Sequence, residues 1–393
     1  TSAGIGYKFK RTELLDPNHP RNMVEHAREF LDNFGVTPVL FKAFLKDEMR
    51  HQDKDTRSIM VPQLPLWLTG MRYMGFLYLY FREARKQGNY TPVAFACDDK
   101  CYDFTQQLLS FKNDKTWEID LKRQDSRMNP SFIDFMELFL NRITNFKFAD
   151  MFQHFFDEGY RYKKLVDLHG NVFSFEHGEM SGVVTTILMN SMESVFLYCL
   201  PDFVGDVIRS QYIGINCDLK LKAFATLGDD VLSQNSPTYF YFYKSIVKML
   251  GREITFDLKE QFYNQATFLS YKFNYLNGLL IPYYCKVDKA SGSLNYFKGN
   301  LDNYISKLES FKILFSGSPD GSEERHMLMI IEGIRQDFYD LGFTSPYASI
   351  QYLDGQKEPF GGGRIERKIR ENVNNNLQNN EDWSTEKGPE QDC

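Results

Sequence analysis

Two periods run through the apolar and polar positions of this chain. Helical spacing of apolar residues predicts helices over Asn22–Phe34, Leu64–Arg85, Ser131–Ile143 and Pro237–Leu250, with Pro130 marking one start and Gly251 one end. Leu64–Arg85 is rich enough in Leu, Met, Phe and Tyr to be read as core. Phe146–Lys164 reads as aromatic and helical, leading to a turn at Leu168–Asn171, and a glycine-flexible loop from His177 enters a helix by Asn190. Two more helical patterns between about Asn300 and Leu341 are joined by Ser316–Gly321. Strands are predicted at Phe41–Arg50 and Ile59–Val61, at Trp117–Asp120 and at Glu253–Phe256, the last leading into Asp257-Leu258-Lys259. Ala266–Phe273 reads as a short apolar hairpin. From Gly361 onward Gly, Arg, Glu, Asn and Gln dominate, as in a disordered tail or linker.

One stretch organises the rest. Lys220–Phe224 alternates, Val231-Leu232 is apolar, and between them stands Gly228-Asp229-Asp230. The pattern predicts two strands joined by a tight turn, with Gly228 supplying the backbone freedom. Adjacent carboxylates at a hairpin tip repel unless a cation neutralises them, and magnesium takes such oxygen ligands. A solvated turn is the alternative.

Composition narrows the setting. The chain has 393 residues, enough for two or three subdomains, and is aromatic, with 35 Phe and 23 Tyr. A net charge of −6 gives no global basic field, so a nucleic-acid site must be a locally basic groove. The six cysteines are scattered; Cys97 and Cys101 lack a second pair to complete a metal site, and a reducing compartment is expected. No apolar run reaches membrane-spanning length and no signal peptide opens the chain. A start at Thr1 and a polar end suggest a piece of a longer product.

Other stretches carry candidate chemistry. Lys46, Arg50, Lys54 and Arg57 could line a channel wall and grip phosphates, or sit on a solvated hairpin among Asp47, Glu48, Asp53 and Asp55. Asp120 ends a strand and Asp125 follows one turn later, so the first could bind a metal and the second bond something beside it. Ser181, Thr186 and Asn190 have spacings that suit one side of a loop and helix, where they would recognise a ribose, or else cap local backbone. Asp98-Asp99 forms a second doublet after an apolar run.

In order and separation these stretches resemble the RNA-dependent RNA polymerases of positive-strand RNA viruses, within the picornavirus-like supergroup. Thr1-Ser2-Ala3-Gly4 resembles the family's template-contacting motif, and Lys46 to Arg57 its basic fingers motif. Asp120 with Asp125 matches the first palm motif, Ser181-Gly182 with Thr186 and Asn190 the second, and Gly228-Asp229-Asp230 the third. Gly251–Lys259 resembles the fourth, and Phe268-Leu269 the primer-grip hairpin. This order makes Asp98 and Asp99 loop residues. Leu227 stands where many relatives carry tyrosine, and Ser270-Tyr271 where picornaviruses carry a basic pair, with Lys272 as a substitute. Thr185-Thr186 is more like astrovirus and potyvirus enzymes.

The resemblance implies an α+β right hand: an antiparallel palm sheet with flanking helices and a mainly helical thumb. Fingers would span 1–77, without the N-terminal part that relatives carry, plus an insertion at 160–178. Palm would span 78–159 and 179–275, thumb 276–355, and tail 356–393. It implies nucleotidyl transfer from nucleoside triphosphates to an RNA 3′ end, with Mg²⁺ (Mn²⁺ able to substitute) held by Asp120, Asp229 and Asp230. Lys259 would be a general acid, and Lys46, Arg50, Lys54 and Arg57 would hold the triphosphate. Asp125, Ser181, Gly182, Thr186 and Asn190 would select the ribose. Thr1, Ser2, Gly4, Phe268, Leu269 and Lys272 would contact template and primer. Other viral replication proteins and membrane-associated complexes in the host cytoplasm are the implied setting. A reverse transcriptase-like enzyme and a non-catalytic RNA-binding remnant are the rival readings.

Overall fold

A computed structural model describes residues 39–45, 58–86, 92–93, 110–122, 128–167, 169–176, 178–179, 181–211, 219–297 and 299–342, with isolated positions 16, 18, 108 and 124. Side chains at 44, 45, 58, 82, 85, 86 and 208–211 are not among those described. Thr1, Ser2, Gly4, Lys46, Arg50, Lys54, Arg57, Asp125, the predicted helix over 22–34, the Asp98-Asp99 doublet and the tail lie outside these residues. The described residues form two compact units, divided at Cys97/Asp98, Asn113/Asp114 and Glu260/Gln261.

The first unit contains two four-stranded sheets. In one, β1 (Leu40–Leu45) pairs antiparallel with β2 (Ser58–Pro62) and parallel with β4 (Tyr162–Val166), and β5 (Val172–Glu176) closes a hairpin on β4. In the other, all antiparallel, the order is β6 (Phe224–Leu227), β7 (Asp230–Ser233), β3 (Thr116–Leu121), β8 (Ile254–Lys259). Helices α1 (Leu64–Lys86), α2 (Pro130–Ile143), α3 (Ala149–Phe156), α4 (Thr186–Gln211) and α5 (Pro237–Met249) complete it.

Local chemistry explains several boundaries. Asn129 Oδ1 accepts from Ser131 N at 2.8 Å, capping α2 with Pro130 in its first turn. Ser236 caps α5 in the same way, and Gly251 past its end takes φ +71°. Buried aromatic packing then fixes α5 on the antiparallel sheet, where Trp117 stacks on Phe240 with ring centroids 3.9 Å apart.

Some predicted elements differ. The helical stretch ends with a π turn at Asp157–Arg161, and Tyr162–Val166 is a strand. Its burial alternates, and it fills the edge between β1 and β5, so pairing overrides the helical start. The first arm of the Gly228 hairpin is Phe224–Leu227 rather than 220–224, because only that stretch reaches β7 in register. β8 continues through Lys259. Helix α1 is not core throughout: Met71, Phe76, Leu79 and Tyr80 are exposed on it.

The second unit holds a hairpin of β9 (Tyr271–Leu276) and β10 (Leu279–Tyr284), with helices α6 (Val287–Asn295), α7 (Leu301–Phe315) and α8 (Glu323–Asp340). Its hairpin turns at Asn277-Gly278, both with positive φ, and was not anticipated, nor was α6. The expected hairpin over 266–273 reduces to a tight turn. There Phe268 and Tyr271 exchange backbone hydrogen bonds of 2.8 and 2.9 Å while Leu269 and Ser270 adopt left-handed φ.

Candidate active site

Register builds the acidic site. Asp120 on β3 sits directly opposite Asp230 on β7, and Asp229 occupies the two-residue turn between β6 and β7 with Gly228. Directly opposed like charges destabilise a strand pair. Here the opposition brings one oxygen each of Asp120, Asp229 and Asp230 within 4.8 Å of one another. On the other flank, Thr255 of β8 faces Asp120 and donates from Oγ1 to its Oδ2 at 3.2 Å. Three hard oxygen donors at solvent-reaching positions suit a divalent cation of the magnesium class.

The turn itself is held from behind. Gly228 has φ +64°, and a Cβ there would lie 3.2 Å from Ile187 Cδ1 of α4. Gly228 N donates to Ser191 Oγ at 2.8 Å, and Ser194 Oγ donates to Gly228 O at 2.7 Å. Asp229 O in turn accepts from Leu121 N at 3.2 Å. Behind the serines, the wholly buried Glu193 forms a two-pronged pair with Arg252, at 3.2 and 3.0 Å, and accepts from Asn129 N at 2.9 Å.

Around the helix entrance a second construction holds Gly182. Its N–H donates to Met60 O at 2.9 Å, and a Cβ on it would stand 2.3 Å from that same oxygen. Only glycine admits this approach of loop to β2. Ser181 Oγ accepts from Met60 N at 3.4 Å, Thr186 Oγ1 donates to Val183 O at 2.8 Å, and buried Asn190 presents its backbone carbonyl to Gln124 Nε2 at 2.8 Å. Thr185 is buried against Tyr160, their hydroxyls 2.5 Å apart, and Tyr160 donates to Glu179 Oε1 at 2.9 Å. Lys163 Nζ donates to Tyr160 O and Gly178 O at 2.6 and 2.9 Å. Burial lowers the Lys163 ammonium to about 8.

The sequence-predicted residues therefore divide. Asp120, Asp229 and Asp230 come together. Lys259 does not join them: it lies opposite Thr116, at the far end of β3 from Asp120. There it bonds Asp257 Oδ2 at 2.5 Å, and this bond raises the Lys259 pKa and lowers that of Asp257. In the second unit, Phe268 is buried, Leu269 has φ +54°, and Lys272 pairs with Glu324 at 2.9 Å. Ser191, Ser194, Gln124, Glu193, Arg252 and Thr255 were missed. The spacing of Ile187, Ser191 and Ser194 marks one helix face, but no local signal says what that face meets.

With this geometry in place, comparison identifies the class. The family model described as viral RNA-dependent RNA polymerase matches residues 1–278, and the chain belongs to that family. Its activity is template-directed RNA synthesis, with RNA and nucleoside triphosphates as ligands. Among solved structures it is similar to the Sicinivirus 3Dpol RNA-dependent RNA polymerase, at 18% identity and a TM-score of 0.67, covering 95% of this chain and 77% of that one. At that identity the likeness is one of fold, the right hand of viral polymerases. Comparison with curated proteins finds no match.

Proposed function

We propose that this polymerase extends RNA by a two-metal mechanism, with Asp120, Asp229 and Asp230 holding magnesium. The observation that carries the reading is the meeting of these carboxylates from two facing strands and a turn. The ions, when bound, supply activation of the attacking 3′-hydroxyl and charge stabilisation at the leaving pyrophosphate.

The chain's own residues bind and orient. Asn190, one turn into α4 next to the serines that hold Gly228, supports a role with Asp125, Ser181 and Thr186 in recognising the ribose, whose 2′-hydroxyl separates RNA precursors from DNA precursors. Gly182 fixes the loop that carries Ser181. Lys46, Arg50, Lys54 and Arg57 are assigned to the triphosphate, and Thr1, Ser2 and Gly4 to the template, from the resemblance. Phe268, Leu269 and Lys272 are assigned to the primer on the same ground. Lys259, kept protonated by Asp257, has the charge state of a general acid, and that role would require it to leave this partner. Fingers at 1–77 and 160–178, palm at 78–159 and 179–275, and thumb at 276–355 belong to the same reading. So does a place among other viral replication proteins in membrane-associated complexes of the host cytoplasm. Among the described residues no helix is long and apolar enough to cross a membrane.

Primer extension on a homopolymeric RNA template with Mg²⁺, offering labelled UTP or dTTP, tests the reading. Wild type is expected to incorporate UTP. Asp229→Ala should lose about a thousandfold or more, since metal stabilisation of transition-state charge is worth several kcal/mol. Equal extension by both proteins would refute the site, and preference for dTTP the substrate.

A further inference from the structure

We infer that Ser191 and Ser194 are positioning residues that clamp the Gly228 turn and thereby hold Asp229 and Asp230 in metal-binding geometry. The inference rests on the metal reading above.

The backbone groups of Ile187 and Gly228 set the direction of each bond the two hydroxyls make with them. Ser191 Oγ donates its single proton to Ile187 O at 2.5 Å, which leaves its oxygen to accept from Gly228 N at 2.8 Å. Ser194 Oγ spends its proton on Gly228 O at 2.7 Å, and its oxygen accepts from Gln124 Nε2 at 3.1 Å. Both polar groups of Gly228 are thus taken by one helix face. The carbonyl of Gly228 belongs to the peptide that ends at Asp229 N, so the clamp sets the plane from which Asp229 departs. A third anchor, Leu121 N on Asp229 O, ties the far side of that residue to β3 beside Asp120.

The clamp is rigidly mounted. Ser191 and Ser194 have no exposure, and Gln124, Glu193 and Arg252 behind them are almost as buried. Gln124 Nε2 shares its two protons among Ser194 Oγ, Asn190 O at 2.8 Å and Glu193 Oε2 at 3.1 Å, so the chain leaving β3 is tied to the same helix. A turn whose carboxylate adjoins another on the following strand tends to splay as their charges repel. Hydroxyl groups restrain it without adding charge beside the ligands. A cation placed there instead would compete with the metal.

Ser191→Ala and Ser194→Ala separate positioning from simple packing. Three quantities are read: amide hydrogen exchange over residues 225–232 without metal, Mn²⁺ affinity with primer-template bound, and kcat against KM for the nucleotide. Exchange should rise about tenfold in each variant, the scale of one lost buried hydrogen bond. Mn²⁺ affinity and kcat should fall by about the same factor, with KM within about twofold. Ser194→Thr, which keeps the hydroxyl, should restore all three. Wild-type exchange and Mn²⁺ affinity in both alanine variants would overturn the clamp. Faster exchange in the variants, with Mn²⁺ affinity indifferent even to Asp229→Ala, would instead overturn the metal reading beneath it.

Discussion

The Gly228 turn and the Gly182 loop both abut helix α4, yet they are secured by different chemistry. At Gly228 two serine hydroxyls take the peptide groups, and the nearest buried charges, Glu193 and Arg252, neutralise each other behind the serines. At Gly182 the backbone presses directly on Met60 with no room for a side chain. The loop's start is held by a buried lysine, Lys163, bonded to the carbonyl of Gly178. Neutral dipoles thus position the carboxylates assigned to the metal, whereas an ionisable group positions the loop assigned to the ribose. The first arrangement should be indifferent to pH and sensitive to loss of a hydroxyl. The second should be sensitive to pH and intolerant of a methyl.

The largest effect expected lies behind the Gly228 turn. Glu193→Leu strands the Arg252 guanidinium in a buried site and removes the acceptor for Asn129 N. Stability should fall by about 3–5 kcal/mol, the usual cost of breaking a buried pair from one side. Urea unfolding measures it, and a loss under about 1 kcal/mol would show that water reaches Arg252. Next comes Gly182→Ala, whose methyl would meet Met60 O at 2.3 Å. Forcing β2 and the loop apart should cost about 1–3 kcal/mol and depress incorporation further than stability alone explains. Full activity with an unchanged unfolding midpoint would remove Gly182 from the comparison.

The last effect is read as a slope against pH rather than as a loss at one pH, and it belongs to Lys163. Burial lowers it from 10.5 to about 8 in the folded protein, so the unfolded chain holds the proton more tightly. The penalty is complete below pH 8, and stability should rise with pH between 8 and 10.5 as the folded state sheds the proton first. Lys163→Met should flatten that part of the wild-type curve. Parallel curves for the two proteins would mean that Lys163 does not titrate in this window.

How legible these features were follows from how local they are. The Gly228 hairpin and its acidic tip could be read directly, because turn residues and alternation lie within a dozen positions. Gly182 could be singled out only by resemblance, since the oxygen that forbids a side chain belongs to Met60, on a strand far away in sequence. Ser191 and Ser194 carried the right helical spacing, but their partner is a turn in a different element. Tyr162–Val166 looked like more of the aromatic helix before it, and strand partners on both sides decided otherwise. Asn277-Gly278, by contrast, is a purely local hairpin signal, the residue pair that a turn with two positive φ angles favours. Lys259 shows the converse: motif order supports a role near pyrophosphate, but register places it opposite Thr116 rather than Asp120.

Metal-directed cleavage tests the central claim, that Asp120, Asp229 and Asp230 form one cation site. Fe²⁺ would replace Mg²⁺ in the complex with primer-template and nucleotide, and the hydroxyl radicals it generates would cut the nearby backbone. Cuts are expected around Asp120 and around Gly228–Asp230 together, suppressed by excess Mg²⁺ and lost in Asp229→Ala. Cuts confined to other segments, or unchanged by the substitution, would contradict the site.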